Sequence, residues 1–196
     1  MRIKPILFNT EMVRAILDGR KTVTRRAVKP RYKEDEGGFQ INRDVKTGEW
    51  WVEKSDWDEG SFDPPRYVNP PYRPGDVLWV RETWTSLVGS YLYRADQKPG
   101  MKNPGKWCPS IHMPREAARI FLRVTDVRVE RLQEVCNIDL ESEGIDVCLP
   151  LHLQKKQFGA LWDSTIKHAD LEKYGWAANP FCWVIEFERC EMPEET

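Results

Sequence analysis

No apolar run in this sequence approaches the roughly 20 residues needed to cross a bilayer, and its start, Met1-Arg2-Ile3-Lys4-Pro5, lacks the apolar core of a signal peptide. Histidine is scarce, with three in 196 residues, and the five cysteines (Cys108, Cys136, Cys148, Cys182 and Cys190) are odd in number and never spaced as CxxC. These absences argue against a membrane partner and against a secreted disulfide framework. The expectation is reduced thiols in a cytoplasmic protein. Cys108 and His112 stand at a spacing that a zinc ligand pair uses, but no second pair follows, and His152 and His168 lie far away, so no metal is assigned. A glycine-rich phosphate loop, a GxSxG elbow and an HExxH helix are also missing. So is an excess of charge of one sign. Thirty basic residues nearly cancel thirty-one acidic ones, so any affinity for nucleic acid must come from local clustering.

What is present suits one α+β domain with elaborations. Residues 3–8 read as a strand, Asn9 or Thr10 as a helix N-cap, and Met12, Val13, Ile16 and Leu17 as the apolar face of a helix ending near Asp18. Residues 31–74 are dominated by charge, glycine and proline, with Trp50-Trp51-Val52 as one strand fragment behind a turn at 46–49; they read as an insertion. Pro74-Gly75-Asp76 marks a turn before a strand at 77–84, and 91–93 reads as another. Residues 118–129 alternate like a strand with a bulge near Thr125-Asp126. A helix is expected within 132–147, capped by Asn137 or Asp139, and a later one around 158–162. Residues 181–187 are the strongest strand, and a flexible tail is expected from about 191. Strands separated by two or three helices suggest a small β-barrel.

The densest local signal is Gly19-Arg20-Lys21-Thr22-Val23-Thr24-Arg25-Arg26, where four cations and two threonines leave a glycine turn. A glycine just past a helix end favours the left-handed conformation. Cations close to Lys21 disfavour its ammonium form and lower its pKa, as burial also does. A threonine hydroxyl becomes a nucleophile when a base stands beside it. In a strict strand, however, residues 21 and 24 point to opposite faces, so they converge only if the chain bends after Gly19 or the lysine reaches around.

The order helix, Gly-x-Lys, strand, Pro-Gly-Asp-Val-Leu-Trp-Val-Arg-Glu and closing Trp-Val-Ile-Glu-Phe strand resembles the ASCH domains of the PUA-like superfamily, small β-barrels that bind or process RNA and modified nucleosides. Their Gly-x-Lys-x-x-Glu-x-Arg signature is matched by Gly19, Lys21 and Arg26, with Thr24 where the glutamate is usual. That departure is similar to bacterial N4-acetylcytidine amidohydrolases, whose Gly-Arg-Lys-Thr-x-Thr run supplies a catalytic lysine and threonine. The sequence also resembles ASCH-like proteins of phages and prophages. The resemblance implies a catalytic set of Lys21, Thr24 and Glu143, with Glu141 as the alternative carboxylate. It implies a modified cytidine nucleoside or RNA as partner.

These residues form a chemically complete set for amide hydrolysis: Lys21 as base, Thr24 as nucleophile and Glu143 as proton shuttle, with no metal or cofactor. Gly19, Arg20, Arg26, Arg81, Glu82 and Trp84 are the candidates for contacting substrate or RNA, with Trp84 available to stack a base. Basic residues at 20–33 and Lys98, Lys102, Lys106, Arg115 and Arg119 would converge in a groove if the protein instead bound or cut RNA without hydrolysing an amide. An assembly protein of a phage particle is the third reading, with 31–74 as its contact surface.

Overall fold

A computed structural model describes residues 1–29, 39–54, 66–87, 89–98, 100–102, 105–146 and 148–193. The chain runs β1 (Ile3–Leu7), α1 (Thr10–Leu17), β2 (Val23–Ala27), β3 (Phe39–Arg43), β4 (Trp50–Lys54), β5 (Arg66–Val68), β6 (Val77–Arg81), β7 (Trp84–Leu87), β8 (Ser90–Tyr93), β9 (Phe121–Arg131), α2 (Asn137–Ser142), α3 (Leu151–Thr165), α4 (Leu171–Tyr174) and β10 (Phe181–Cys190). The main sheet has the order β1-β6-β9-β10-β2. Its first pair is parallel, Ile3 opposite Val77 through Leu7 opposite Arg81, and the other pairs are antiparallel.

β10 explains the two-sided packing. Alternate residues of a strand face opposite sides, and here both sides are apolar. Trp183, Ile185 and Phe187 enter a core with Ile6, Val13 and Ile16 of β1 and α1, together with Leu122 and Val124 of β9. Cys182 and Val184 enter a second core with Val23, Leu140 of α2, and Phe158 and Trp162 of α3. A strand covered on both faces reads as a continuous apolar run, which is why it stands out in the sequence. The buried Cys182 thiol, pushed up to about 12 by burial, is inert.

The expected bulge is present. Asp126 pairs with Glu186 while Val124 pairs with Phe187, so Thr125 is the extra residue on β9. Asn9 caps α1, its side chain accepting from the Met12 N–H at 2.8 Å. α2 departs from expectation. Its N-cap is Cys136, and Asp139 reaches back to accept the Cys136 N–H at 2.9 Å.

The strand expected over 77–84 is split. β6 ends at Arg81, and β7 turns away to form a hairpin with β8. The break falls at Glu82-Thr83, where the Glu82 N–H donates to Met113 Sδ at 3.2 Å and its carboxylate is held by Arg119. The insertion has more order than its composition suggests. β3, β4 and β5 form a second sheet, and Trp50 packs edge-on against Trp183 with centroids 5.4 Å apart. Residue 30, residues 31–38 and 55–65 of the insertion, and 194–196 of the expected tail lie outside the described residues.

The class is thus α+β around a mixed sheet. β1 and β2 are its end strands, and among the described residues no strand pairing joins them. The closest link is a side chain, Arg26 Nη2 donating to the Leu7 carbonyl at 3.1 Å. Among the described residues no helix is long and apolar enough to cross a membrane.

Asp76 pins the entry to β6. Its carboxylate accepts from the Arg73 N–H at 3.1 Å and pairs with Lys4 Nζ at 3.0 Å, tying the turn to β1. Burial works to raise its pKa, but Lys4 and the turn N–H groups outweigh it and hold the carboxyl below its ordinary 3.8. A depressed carboxyl contributes stability that is present above the ordinary value and lost as pH falls through the native one. Asp76→Asn should therefore cost about 1–2 kcal/mol at neutral pH in urea unfolding. The gap from wild type should close as the pH is taken well below 3.8; a gap that persists in acid would rule out the charge as its source.

Candidate active site around Lys21 and Glu143

Two helix ends of the same design deliver the central pair. At the end of α1, the Arg20 N–H reaches back to the Ala15 carbonyl at 2.9 Å, and Gly19 takes φ +74°. At the end of α2, the Ile145 N–H reaches back to the Leu140 carbonyl at 3.0 Å, and Gly144 takes φ +85°. Both are left-handed glycine caps of the Schellman kind. The first sends Lys21 toward the core, and the second leaves Glu143 as the C-cap of α2. The Thr22 N–H donates to the Ser142 carbonyl at 2.9 Å, and the Phe187 N–H to the Thr22 carbonyl at 2.9 Å, so the segment is clamped between α2 and β10.

Lys21 is 2% exposed and Glu143 5%, so their charges must be satisfied internally. The ammonium donates to Glu143 Oε2 at 2.5 Å, to the Val23 carbonyl at 2.7 Å and to the Glu143 carbonyl at 3.1 Å. Arg25, 3% exposed, holds the other carboxylate oxygen: Nη1 lies 3.2 Å from Glu143 Oε1. Its Nη2 meets Glu130 at 3.0 Å and Asp139 at 3.3 Å. Burial presses the Lys21 pKa below the ordinary lysine value; Glu143 opposes this, while Arg26 and Arg25 add to it. For Arg25, burial is outweighed by its carboxylates, Glu143 first, and the pKa stands above the ordinary arginine value.

Lys21 precedes β2 and does not follow its pleat. Its side chain curls back so that Nζ meets the carbonyl of the peptide leading into Thr24. Thr24 is 1% exposed, and its hydroxyl accepts from Arg26 Nη1 at 3.0 Å. Among the described residues no hydrogen bond joins that hydroxyl to Lys21 or Glu143. The two groups meet at Phe8, whose ring centre lies 5.8 Å from Lys21 Nζ and 5.5 Å from the Arg26 guanidinium. Burial pushes the Arg26 pKa below the ordinary arginine value.

Of the two candidate carboxylates, Glu143 is the one paired with Lys21; Glu141 is exposed and lines a separate surface cleft with Arg20 and Gly19. Arg20 donates to the Gly144 carbonyl at 3.2 Å and pairs with Asp18 at 3.0 Å. The remaining sequence candidates belong to another cluster. Glu82, 1% exposed, is gripped by Arg119 at 2.9 and 3.1 Å, and Arg119 also pairs with Asp96 and stacks on Tyr93. Arg81 donates to the Ile111 carbonyl and stacks on Trp79. Trp84 packs edge-on against Tyr91 at 5.6 Å. Sequence reasoning missed Glu130 and Asp139 as partners of Arg25, because they come from β9 and α2 and no local spacing relates them to residue 25.

A cleft of about 560 Å³ opens beside this cluster, with Phe8, Arg25, Arg26, Lys29, Ser110 and Trp162 among its lining. Its lining includes neither Lys21, Thr24 nor Glu143, so Phe8, Arg25 and Arg26 separate it from the buried pair. Among the described residues no group of three or more His, Cys, Asp or Glu is arranged to hold a metal ion. Comparison with protein-family models, with curated proteins and with solved structures returned no match.

The two caps should respond differently to substitution. A Cβ on Gly19 would meet no atom within 4 Å, whereas one on Gly144 would lie 2.8 Å from Ala15 Cβ and 3.4 Å from Lys21 Cβ. Gly19→Ala should cost about 1–2 kcal/mol, the price of the left-handed conformation alone. Gly144→Ala should cost about 1–3 kcal/mol more through overpacking. Equal losses in denaturant titrations would mean that the α2 end does not pack as closely on Lys21 as described.

Proposed function

We propose that this chain is an amidohydrolase of the N4-acylcytidine type, built on a PUA-like barrel arrangement of the main sheet and acting on a modified nucleoside or RNA base. The observation that carries the reading is the buried Lys21–Glu143 pair, 2.5 Å apart across 122 residues of sequence. A bond that short between two groups sealed from water lets a proton pass between them. The neutral form of the pair then presents an amine base and a carboxylic acid side by side. The depressed Lys21 pKa lowers the cost of that form.

In the proposed reaction the Thr24 Oγ attacks the acyl carbon and gives up its proton to Lys21. The carbonyl π electrons move to the acyl oxygen as the bond forms, and Arg26, which lies beside the Thr24 hydroxyl, is the cation available to that oxyanion. The carbon–nitrogen bond breaks, the departing cytosine amine takes a proton from Glu143, and water then hydrolyses the threonine ester. Access requires Phe8 and Arg26, which separate the cleft from the buried pair, to move aside, and proton transfer requires the Thr24 hydroxyl to turn toward Lys21. Arg25, anchored by Glu130 and Asp139, fixes the Glu143 carboxylate.

The test is cytidine release from N4-acetylcytidine by purified protein, followed by mass spectrometry. Thr24→Val and Glu143→Gln, which change shape little, should each lower kcat by at least about 100-fold, with Tm measured alongside. Thr24→Ser should retain turnover. Activity that survives in Thr24→Val removes the threonine from the mechanism. Absence of turnover on any acylated cytidine moves the reading to RNA binding.

A further inference from the structure

The cleft beside the pair has a one-sided charge. In a chain whose formal charges nearly cancel, it is lined by Arg25, Arg26 and Lys29, and among the described residues no aspartate or glutamate lines it. The three cations are not equally compensated. Arg25 is matched by Glu130, Asp139 and Glu143, although its buried Nε has no hydrogen-bond partner among the described residues. Lys29 stands at the rim, 3.5 Å from Asp170 and 4.8 Å from the centre of the Tyr174 ring. Arg26 is different: half-buried, it donates to the Thr24 hydroxyl and to the Arg25 and Leu7 carbonyls, all neutral oxygens. Among the described residues no carboxylate lies within 4 Å of it. A partly desolvated guanidinium without an anion is costly, and arginine pairs with phosphate through a planar fork. The rest of the lining suits the remainder of a nucleotide, with Phe8 and Trp162 as flat walls and Asn9, Thr83 and Ser110 as polar groups.

We propose that this cleft is a phosphate-recognition site, with Arg26 as its central cation and Lys29 as its outer one, so that the ligand is a phosphorylated cytidine and not the free nucleoside. The inference rests on the amidohydrolase reading for the base but not for the anion. The phosphate belongs either to a nucleotide monoester or to the phosphodiester of RNA, which present the same oxygens to Arg26. Arg26 thereby ties phosphate binding to the Thr24 hydroxyl, since one guanidinium faces both.

Binding of unacylated probes to the full chain separates this from the chemistry. Cytidine 5′-monophosphate should bind at least about tenfold more tightly than cytidine in titration calorimetry, one charge-assisted contact being worth that much. The advantage should shrink as salt is raised, shrink in Lys29→Gln and disappear in Arg26→Gln. Lys29 is exposed, so its variant reports on the site even if Arg26→Gln loses its fold. A short single-stranded cytidine RNA that binds more tightly than the monophosphate assigns the phosphodiester; weaker binding assigns the monoester. Equal affinity for cytidine and its monophosphate, no detectable monophosphate binding, or an advantage that survives both substitutions overturns the proposal. Turnover of N4-acetylcytidine without any phosphate preference would leave the amidohydrolase reading standing and remove this one alone.

Discussion

A lysine ammonium sealed from water is among the more demanding groups a protein can bury, and the architecture around Lys21 follows from that demand. Its charge needs an anion and its three hydrogens need acceptors, and all of these come from two short stretches, Val23 and Glu143. An ion pair of this kind is weak evidence for stability, because removing two charges from water offsets much of their attraction. What it does enforce is geometry. Two glycine caps, a helix end lying against the start of an edge strand, and an arginine on the far side of the carboxylate all converge on one buried ion pair. That much determination around one amine is what a chemical role requires.

The main sheet makes the convergence possible by separating two cores. Phe8 belongs to the core on the α1 side, and Val23 to the core on the α2 and α3 side. β2 lies at the sheet edge, and among the described residues β10 is its only strand partner in that sheet. An edge strand leaves one flank without strand partners, and here that flank carries both the Arg26–Leu7 link and the cleft. Arg25 belongs to both, lining the cleft and holding the Glu143 carboxylate, while Phe8 lies against both Lys21 and Arg26.

Much of the fold was legible because its signals are local. The α1 cap, the bulge at Thr125 and the continuous apolar run of β10 each rest on neighbours in sequence. The split between β6 and β7 was not legible, because it depends on Arg119 and Met113 reaching Glu82 from a distant segment. In the candidate site, family resemblance nominated Lys21 and Glu143, and spacing alone does not pair them. Charge density around residues 20–26 pointed to a depressed lysine pKa, but the larger cause is burial, which only the tertiary structure supplies. The network of Glu130, Asp139 and Arg128 behind Arg25 left no trace in the pattern, since each carboxylate reads as an ordinary solvated residue on its own strand or helix.

Among the described residues β2 joins the main sheet through β10, some 155 residues further along the chain, as the pairing of Ala27 with Cys182 requires. Ribosomal synthesis therefore exposes the Gly19–Arg26 segment long before its partner strand exists. During that interval Lys21 is a cation next to three arginines without its strand partner. Docking of β10 covers Val23 with Cys182 and Val184 and ties the Thr22 carbonyl to the Phe187 N–H. A product truncated before β10 would retain the basic sequence of residues 19–26 without the strand that β2 pairs with.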